Sequence, residues 1–278
     1  MTTVSLLAEN CVHRPCLLAE HGLSWWIDTG DHRVLFDTGQ GMVLSHNAAA
    51  LGIDLASASA IVLSHGHYDH TSGLPAALDA APHASLWMHP RATEAKFTGS
   101  GETSRRISTD FMEQRTFAAG GRRVTASAEA CEIVPGIWMT GEIPRTNDFE
   151  DTGGPFYLDA ALTVPDPLLD DQAVFFRSGD GVVVVLGCSH AGVINTLRRV
   201  DELTGGAPLL AVMGGAHLAA ASEKRMDETL AFLHQRKPGF IGFNHCTGES
   251  AVRRFANEFG SACGPMHVGD RKDFPPGD

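Results

Sequence analysis

Apolar and polar positions fall along this chain in short blocks rather than long stripes. Near the N-terminus three runs read as strands: Val4-Ser5-Leu6-Leu7, Leu23-Ser24-Trp25-Trp26-Ile27 and Arg33-Val34-Leu35-Phe36. Asp28-Thr29-Gly30-Asp31-His32 separates the second from the third and predicts a hairpin turn. Met42 to Leu51 predicts a helix stopped by Gly52. Ile61 to Leu63 predicts a buried strand. Behind it lies a helix carried by Leu74, Pro75, Ala76, Ala77 and Leu78, with Thr71 or Ser72 as its cap. Ser85 to His89 is a further strand, closed by Pro90.

The second half returns to strands at Cys131 to Val134, Ile137 to Thr140 and Ala173 to Phe176. The last meets Val182 to Leu186 across Arg177-Ser178-Gly179-Asp180-Gly181, another hairpin. From Ala191 helix and strand alternate: helices over Ala191 to Leu203, Ser222 to Arg236 and Ser250 to Phe259, strands over Leu209 to Met213 and Phe240 to Phe243. Each half therefore gives strands first and helix–strand units afterwards, which by pattern alone means α/β or α+β. Residues 91–130 and 144–171 carry no clear period. The first reads as a loop-and-helix excursion, the second as a long Pro-, Asp- and Gly-rich loop.

The chemistry is concentrated behind the Ile61 strand. His65-Gly66-His67-Tyr68-Asp69-His70 packs three imidazoles and a carboxylate into six positions on a strand-to-helix turn. Neutral imidazole and carboxylate suit zinc, iron or manganese. Residues i and i+2 of an extended segment project the same way, so His65 and His67 can share one ion. Asp69 and His70 then suit a second. Four ligands from one turn cannot close two ions, so more must come from elsewhere. His190 follows the Val182 run and His245 follows the Phe240 run, both at strand ends like the first cluster. His217, after Gly214-Gly215-Ala216, is a further candidate, as a ligand, as a hydrogen-bond partner of substrate, or as a wall residue. Asp37 is placed to accept an N–H from a ligand histidine and fix its tautomer.

Leu63-Ser64-His65-Gly66-His67-Tyr68-Asp69-His70-Thr71-Ser72-Gly73-Leu74 resembles the signature of the metallo-β-lactamase-fold superfamily. Other segments resemble one branch of it. They are Glu20-His21-Gly22-Leu23-Ser24, Leu35-Phe36-Asp37-Thr38-Gly39-Gln40, Gly141-Glu142-Ile143-Pro144-Arg145, Gly187-Cys188-Ser189-His190-Ala191-Gly192, Gly214-Gly215-Ala216-His217-Leu218 and Asn244-His245-Cys246-Thr247-Gly248. That branch holds metal-dependent hydrolases and dihydropterin-methyl-ribofuranosyl-aminobenzene-phosphate synthase-like proteins.

The resemblance implies a four-layer αββα sandwich, one domain over residues 1–278, with 91–130 and 144–171 as loop or lid insertions. It implies two divalent ions, most simply Zn2+ with Fe or Mn as alternatives. His65, His67 and His190 would hold one ion, and Asp69, His70 and His245 the other. Many relatives carry Gly-Asp where this chain has Gly187-Cys188. Either Cys188 bridges the ions as a thiolate, or His190 takes the position alone and the second ion binds loosely. Glu20, His21, Glu142 and Arg145 are candidate substrate contacts, Arg145 through bidentate binding of a carboxylate or phosphate. The expected activity is hydrolysis of an ester-, amide- or phosphate-type bond of a small molecule, with Asp69 orienting a metal-activated hydroxide. The alternatives are a synthase-like condensing enzyme and a redox or ligand-binding metal protein without hydrolase activity.

Composition narrows the partners. The 278 residues carry a formal charge of −12, which disfavours nucleic acid. A mean hydropathy of −0.05 and apolar runs too short to span a bilayer point away from a membrane. Met1 to Asn10 has neither a basic n-region nor a long apolar run, so no signal peptide is expected. Six cysteines with no Cys-x-x-Cys pair read as reduced thiols of a cytoplasmic protein.

Overall fold

The computed structural model describes residues 1–101, 103–114, 121 and 123–277. Strand β1 (Thr2–Ala8) pairs antiparallel with β2 (Ser24–Asp28), and β2 turns back at the expected hairpin into β3 (Arg33–Phe36). Helix α1 (Leu44–Ala50) follows, then β4 (Ala60–Val62), the short helix α2 (Tyr68–Thr71), α3 (Leu74–Ala80) and β5 (Ser85–Met88). Helix α3 has Pro75 in its first turn, as expected. The cap differs from the expectation. Gly73 precedes α3 without a side-chain cap, and the Thr71 hydroxyl instead donates back to the His67 carbonyl, 2.9 Å away. The reason is local: Thr71 is still inside α2, which the histidine-rich turn itself starts.

The 91–130 segment contains more strand than its composition indicates. β6 (Phe97–Ser100) and β7 (Thr103–Arg106) form a hairpin, α4 (Asp110–Gln114) follows, and β8 (Val124–Ala126) joins β5 in parallel. Residues 102, 115–120 and 122 of this segment lie outside the described residues. β9 (Cys131–Val134) and β10 (Ile137–Met139) then form a second hairpin. The 144–171 loop is not wholly irregular either, because β11 (Phe156–Tyr157) pairs with β6. The remaining elements are β12 (Val174–Ser178), β13 (Gly181–Val185), α5 (Val193–Thr204), β14 (Leu209–Gly215), α6 (Glu223–Arg236), β15 (Phe240–Asn244), α7 (Glu249–Phe259) and β16 (Arg271–Phe274).

Two sheets carry the fold, in the orders β16-β1-β2-β3-β4-β5-β8 and β15-β14-β13-β12-β10-β9. Their facing sides bury Leu6, Trp25, Phe36 and Val62 against Met139, Phe176, Val183 and Met213. The outer face of the first sheet buries Leu35, Ile61 and Leu86 against Leu44, Leu74 and Leu78 of α1 and α3. The outer face of the second buries Phe175, Val184 and Val212 against α5, α6 and α7. Alternation along each strand is what lets one strand feed two layers. Trp25 points between the sheets and its neighbour Trp26 points under the helices. The result is an αββα sandwich in which each large apolar side chain contributes about 1.5–3 kcal/mol by leaving water. A third, small sheet, β11-β6-β7, stands apart from these two.

The parallel pairs β3–β4 and β13–β14–β15 point their C-terminal ends at the same rim. His65, His190, His217 and His245 all follow those ends. Among the described residues no helix is long and apolar enough to cross a membrane.

Candidate metal centre

Backbone shape at the rim sets up the site. Asp37, Ser189, His217 and His245, each just past a strand, sit at φ of 60°, 56°, 46° and 50°. Non-glycine residues visit this left-handed region at a cost, and they cluster where the fold aims side chains for function. Gly66 must be a glycine for a different reason. A Cβ there would lie 2.3 Å from the Ala92 carbonyl and 2.9 Å from Lys96 Cε. Gly187 brings the β13 end so near Ser64 that a Cβ would meet its Oγ at 2.3 Å.

His65, His67 and His190 offer ring nitrogens that all lie within 4.8 Å of one another. The Nε2 atom of each is buried and has no hydrogen-bond partner. Three buried, unpaired acceptors converging in this way are what a cation-binding site requires, since unmatched polar atoms are otherwise costly. The opposite ring nitrogens of two of them are held. His65 Nδ1 is 2.9 Å from Ser64 Oγ, and His190 Nδ1 is 2.8 Å from the Thr152 carbonyl. Burial lowers the pKa of all three, that of His67 to about 3. The rings are therefore neutral at neutral pH, the form that binds metal.

Asp69, His70 and His245 lie alongside as a second candidate position. Asp69 Oδ2 lies 3.4 Å from His245 Nε2 and 3.9 Å from His70 Nε2. Burial pushes the Asp69 carboxyl up, but His70, His21 and His245 outweigh it and hold the group well below the usual carboxylate range. His70 Nδ1 rests on Asp37 Oδ2 at 2.7 Å, and Asp37 Oδ1 accepts the Ser64 N–H at 2.7 Å. Burial opposes protonation of His70, while Asp37 and Asp69 favour it and raise it to about 9. His245 is fixed from the far side by Asn10, 2.9 Å from its Nδ1, and by Glu9, which accepts its backbone N–H at 2.9 Å.

Cys188 lies between the two positions. Its sulfur clusters within 4.8 Å of ligand atoms of His65 and His70, of His190 and His217, and of His245 and Cys246. His70 Nε2 is 3.1 Å from it. Cys246, a second thiol here, was overlooked by motif reasoning although it stands beside His245 in the chain. Burial opposes ionisation of both thiols. For Cys246 a hydrogen bond from Cys188 and the neighbouring His217 and His245 outweigh burial, so it is the more acidic of the pair. His217 shares this corner, its ring centroid 4.3 Å from that of His190.

The remaining candidates separate. His21 stands at the mouth, its Nε2 3.3 Å from Asp69 Oδ2. The mouth is a cavity of about 280 Å3 that His21 lines with Tyr68, Arg105, Phe156, His217 and Cys246. Glu20 is buried and accepts the backbone N–H groups of Gln40, Gly41 and Met42, so its carboxylate holds a turn. Arg145 donates to the main-chain carbonyls of His190 at 2.9 Å and Pro167 at 2.6 Å. Glu142 has His89 Nε2 at 3.8 Å. Neither Glu20, Glu142 nor Arg145 lines the mouth. A larger cavity, about 510 Å3, opens near Met1, His32 and Trp138 at the other end of the strands and touches no ligand candidate.

Further residues tighten the site without any motif announcing them. Lys96, buried, bridges Asp166 and Asp170 at 2.9 Å each, and Asp170 accepts the Gly66 N–H at 2.8 Å. Glu150 accepts the N–H groups of Ile194 and Asn195, capping α5 just behind His190. Asp171 accepts the Ala191 N–H at 2.8 Å, and burial raises its pKa to about 6. Each pairing joins residues far apart in sequence, so only the fold shows them.

Residues 18–226 match the family model of the metallo-beta-lactamase superfamily. A Methanocaldococcus jannaschii protein named 7,8-dihydropterin-6-methyl-4-(beta-D-ribofuranosyl)-aminobenzene-5'-phosphate synthase is 30% identical over 267 residues, covering 90% of this chain and 89% of that one. Among solved structures, a metal-dependent hydrolase of the beta-lactamase superfamily superposes with a TM-score of 0.82 at 27% identity, over 99% of this chain and 100% of that one. Zn(2+)-bound PqqB from Methylobacterium extorquens shares the fold, with a TM-score of 0.59 at 16% identity over 98% of this chain and 100% of that one. With its αββα layers and its ring of buried histidines at the sheet rim, the chain belongs to the metallo-β-lactamase superfamily.

Proposed function

We propose that this chain is a condensing enzyme of the synthase kind, joining a dihydropterin activated as a diphosphate ester to a phosphorylated aminobenzene riboside. The observation that carries this reading is the 30% identity, across nine-tenths of the chain, to a protein named as such a synthase. It replaces simple hydrolysis as the leading reading, because hydrolysis is supported at the level of the superfamily.

The residues of the mouth suit such substrates. Tyr68 and Phe156 offer aromatic faces to a flat pterin or aminobenzene ring. Arg105, with its guanidinium carbon 5.5 Å from the Tyr68 ring centroid, puts a cation where a phosphate would enter an otherwise acidic protein. In the reaction the aniline nitrogen attacks the pterin methylene carbon. The bond from that carbon to the diphosphate oxygen breaks, and pyrophosphate leaves with the electron pair. His21, paired with Asp69, is placed at the mouth to accept the proton that the nitrogen releases. Divalent ions held by His65, His67, His190 and by Asp69, His70, His245, with Cys188 between them, would supply the positive charge a diphosphate leaving group needs. Zinc fits a donor set of imidazole, carboxylate and thiolate. All six cysteines are unpaired, which supports a place in the reducing cytoplasm.

A second reading, a hydrolase, is favoured by the likeness to the metal-dependent hydrolase, at a TM-score of 0.82. One assay separates the two. The metal-loaded protein is given the dihydropterin diphosphate with and without the aminobenzene riboside phosphate. Pyrophosphate release that requires the amine, with a coupled product by mass spectrometry, supports the condensing enzyme. Turnover of the diphosphate without the amine, or none on it beside cleavage of an ester or phosphodiester panel, supports the hydrolase.

A further inference from the structure

A second group of metal-ligating side chains lies outside this centre. Glu9, Cys11 and His267 bring a carboxylate oxygen, a thiol and a ring nitrogen within 4.8 Å of one another. They line a cavity of about 460 Å3 with His13, His245 and Glu249. His267 Nδ1 is buried and has no hydrogen-bond partner. Glu9 is 3% exposed, and among the described residues no lysine or arginine forms an ion pair with it. Its Oε2 accepts the Cys11 N–H and its Oε1 the His245 N–H, which leaves each oxygen a further lone pair. A carboxylate buried in this way calls for a nearby positive charge.

We infer that Glu9, Cys11 and His267 hold a divalent cation of their own, separate from the rim centre. The mixed O, S and N donors suit zinc, with solvent or the neighbouring His13 in the fourth position. The His13 and His267 ring centroids are 4.1 Å apart. The ligands come from opposite ends of the sequence. The segments already touch there, through a parallel bridge between Val12 and Val268 and the Val268 N–H donated to the Cys11 carbonyl at 3.1 Å. The ion would clasp the end of β1 to the segment before β16. Through Glu9 it would steady the backbone of His245, so its role is structural support of the rim rather than contact with substrate.

Three measurements on the full chain test this. Zinc is counted by mass spectrometry in the wild type, Cys11→Ser, His267→Gln and, as reference, His67→Ala. One ion fewer per chain is expected in each of the first two variants, while His67→Ala keeps the Cys11-dependent ion. In the cobalt-loaded Cys188→Ser/Cys246→Ser protein, the thiolate-to-cobalt absorption should persist and should vanish when Cys11→Ser is added. Zinc should also protect Cys11 of the wild type from alkylation while the exposed Cys16 reacts freely, a readout that needs no variant to fold. Equal ion counts in wild type and Cys11→Ser, together with alkylation of Cys11 at the same rate with and without zinc, overturn the inference. Loss of zinc from the His67→Ala rim leaves it standing.

Discussion

Asp37 holds His70. Its Oδ2 lies 2.7 Å from His70 Nδ1 and 2.7 Å from Ser64 Oγ, which in turn reaches His65 Nδ1 at 2.9 Å. One carboxylate thus orients a ring in each of the two proposed metal positions, directly for His70 and through a hydroxyl for His65. Partners of this kind fix ligand tautomers, and their loss typically weakens metal binding about 10–100-fold. Asp37→Asn should weaken zinc binding by that order, measured by competition with a chromophoric chelator. Unchanged affinity would mean the rings are positioned by packing alone.

In the proposed centre His67 and Asp69 belong one to each position. His67→Ala and Asp69→Ala should each abolish turnover and lower the bound metal while the circular dichroism spectrum stays native. Truncating a rim ligand removes little apolar packing. Turnover retained by metal-free His67→Ala would remove the metal from the chemistry.

Much of this was legible in the sequence, for physical reasons that also explain what was not. The strands are β-branched runs broken by Gly and Asp turns, so Trp25-Trp26-Ile27 and Val182 to Val185 show themselves. The turn from His65 to His70 is legible as a candidate metal site because four potential donors in six residues serve no ordinary packing purpose. Partners that meet only through tertiary structure left no local sign. Lys96 looks like any surface lysine until Asp166 and Asp170 fold over it, and Cys246 is a small residue in a motif until Cys188 arrives beside it. The hairpin of β6 and β7 is hidden because its side chains are mostly exposed or half-exposed, so no apolar alternation marks it. Glu20 and Arg145 carry charges suited to substrate, yet they spend them on backbone groups.

Acid should unfold the metal-free protein early. Burial lowers the pKa of His65, His67 and His190 in the folded state, with His67 at about 3, against 6.5 for a free imidazole. Through these three rings the unfolded chain binds more protons below pH 6.5, so their contribution to stability is full above that value and is lost as pH falls from about 6.5 toward 3. Urea midpoints of the metal-free protein should drop across that window, and less steeply in His67→Gln. A midpoint flat from pH 7 to 4 would contradict the burial of neutral rings.

Cys188, its sulfur within 4.8 Å of His65 and His70 ligand atoms, would give the proposed centre a soft donor. Cys188→Asp should shift metal preference toward harder ions, raising manganese affinity relative to zinc. Competitive loading from an equimolar mixture, followed by metal analysis, reads the ratio directly. A ratio unmoved by the substitution would show that the sulfur, though within reach of both positions, is not a ligand.

Lys96 offers a sharper separation of stability from chemistry. Its ammonium, 1% exposed, sits 2.9 Å from both Asp166 and Asp170. Burial alone would lower its pKa, but the two carboxylates outweigh that and raise it. Lys96→Met leaves two buried carboxylates without a counter-charge, a loss that typically costs about 3–5 kcal/mol. The melting temperature should fall by several degrees. Adding Asp166→Asn and Asp170→Asn should recover most of the loss, because the uncompensated charge goes with them. Asp170 also accepts the Gly66 N–H between the candidate ligands His65 and His67. The triple variant should therefore regain stability while binding zinc more weakly than the wild type, because an amide holds that N–H less firmly than a carboxylate. Full recovery of zinc affinity along with stability would confine the triad to holding the loop.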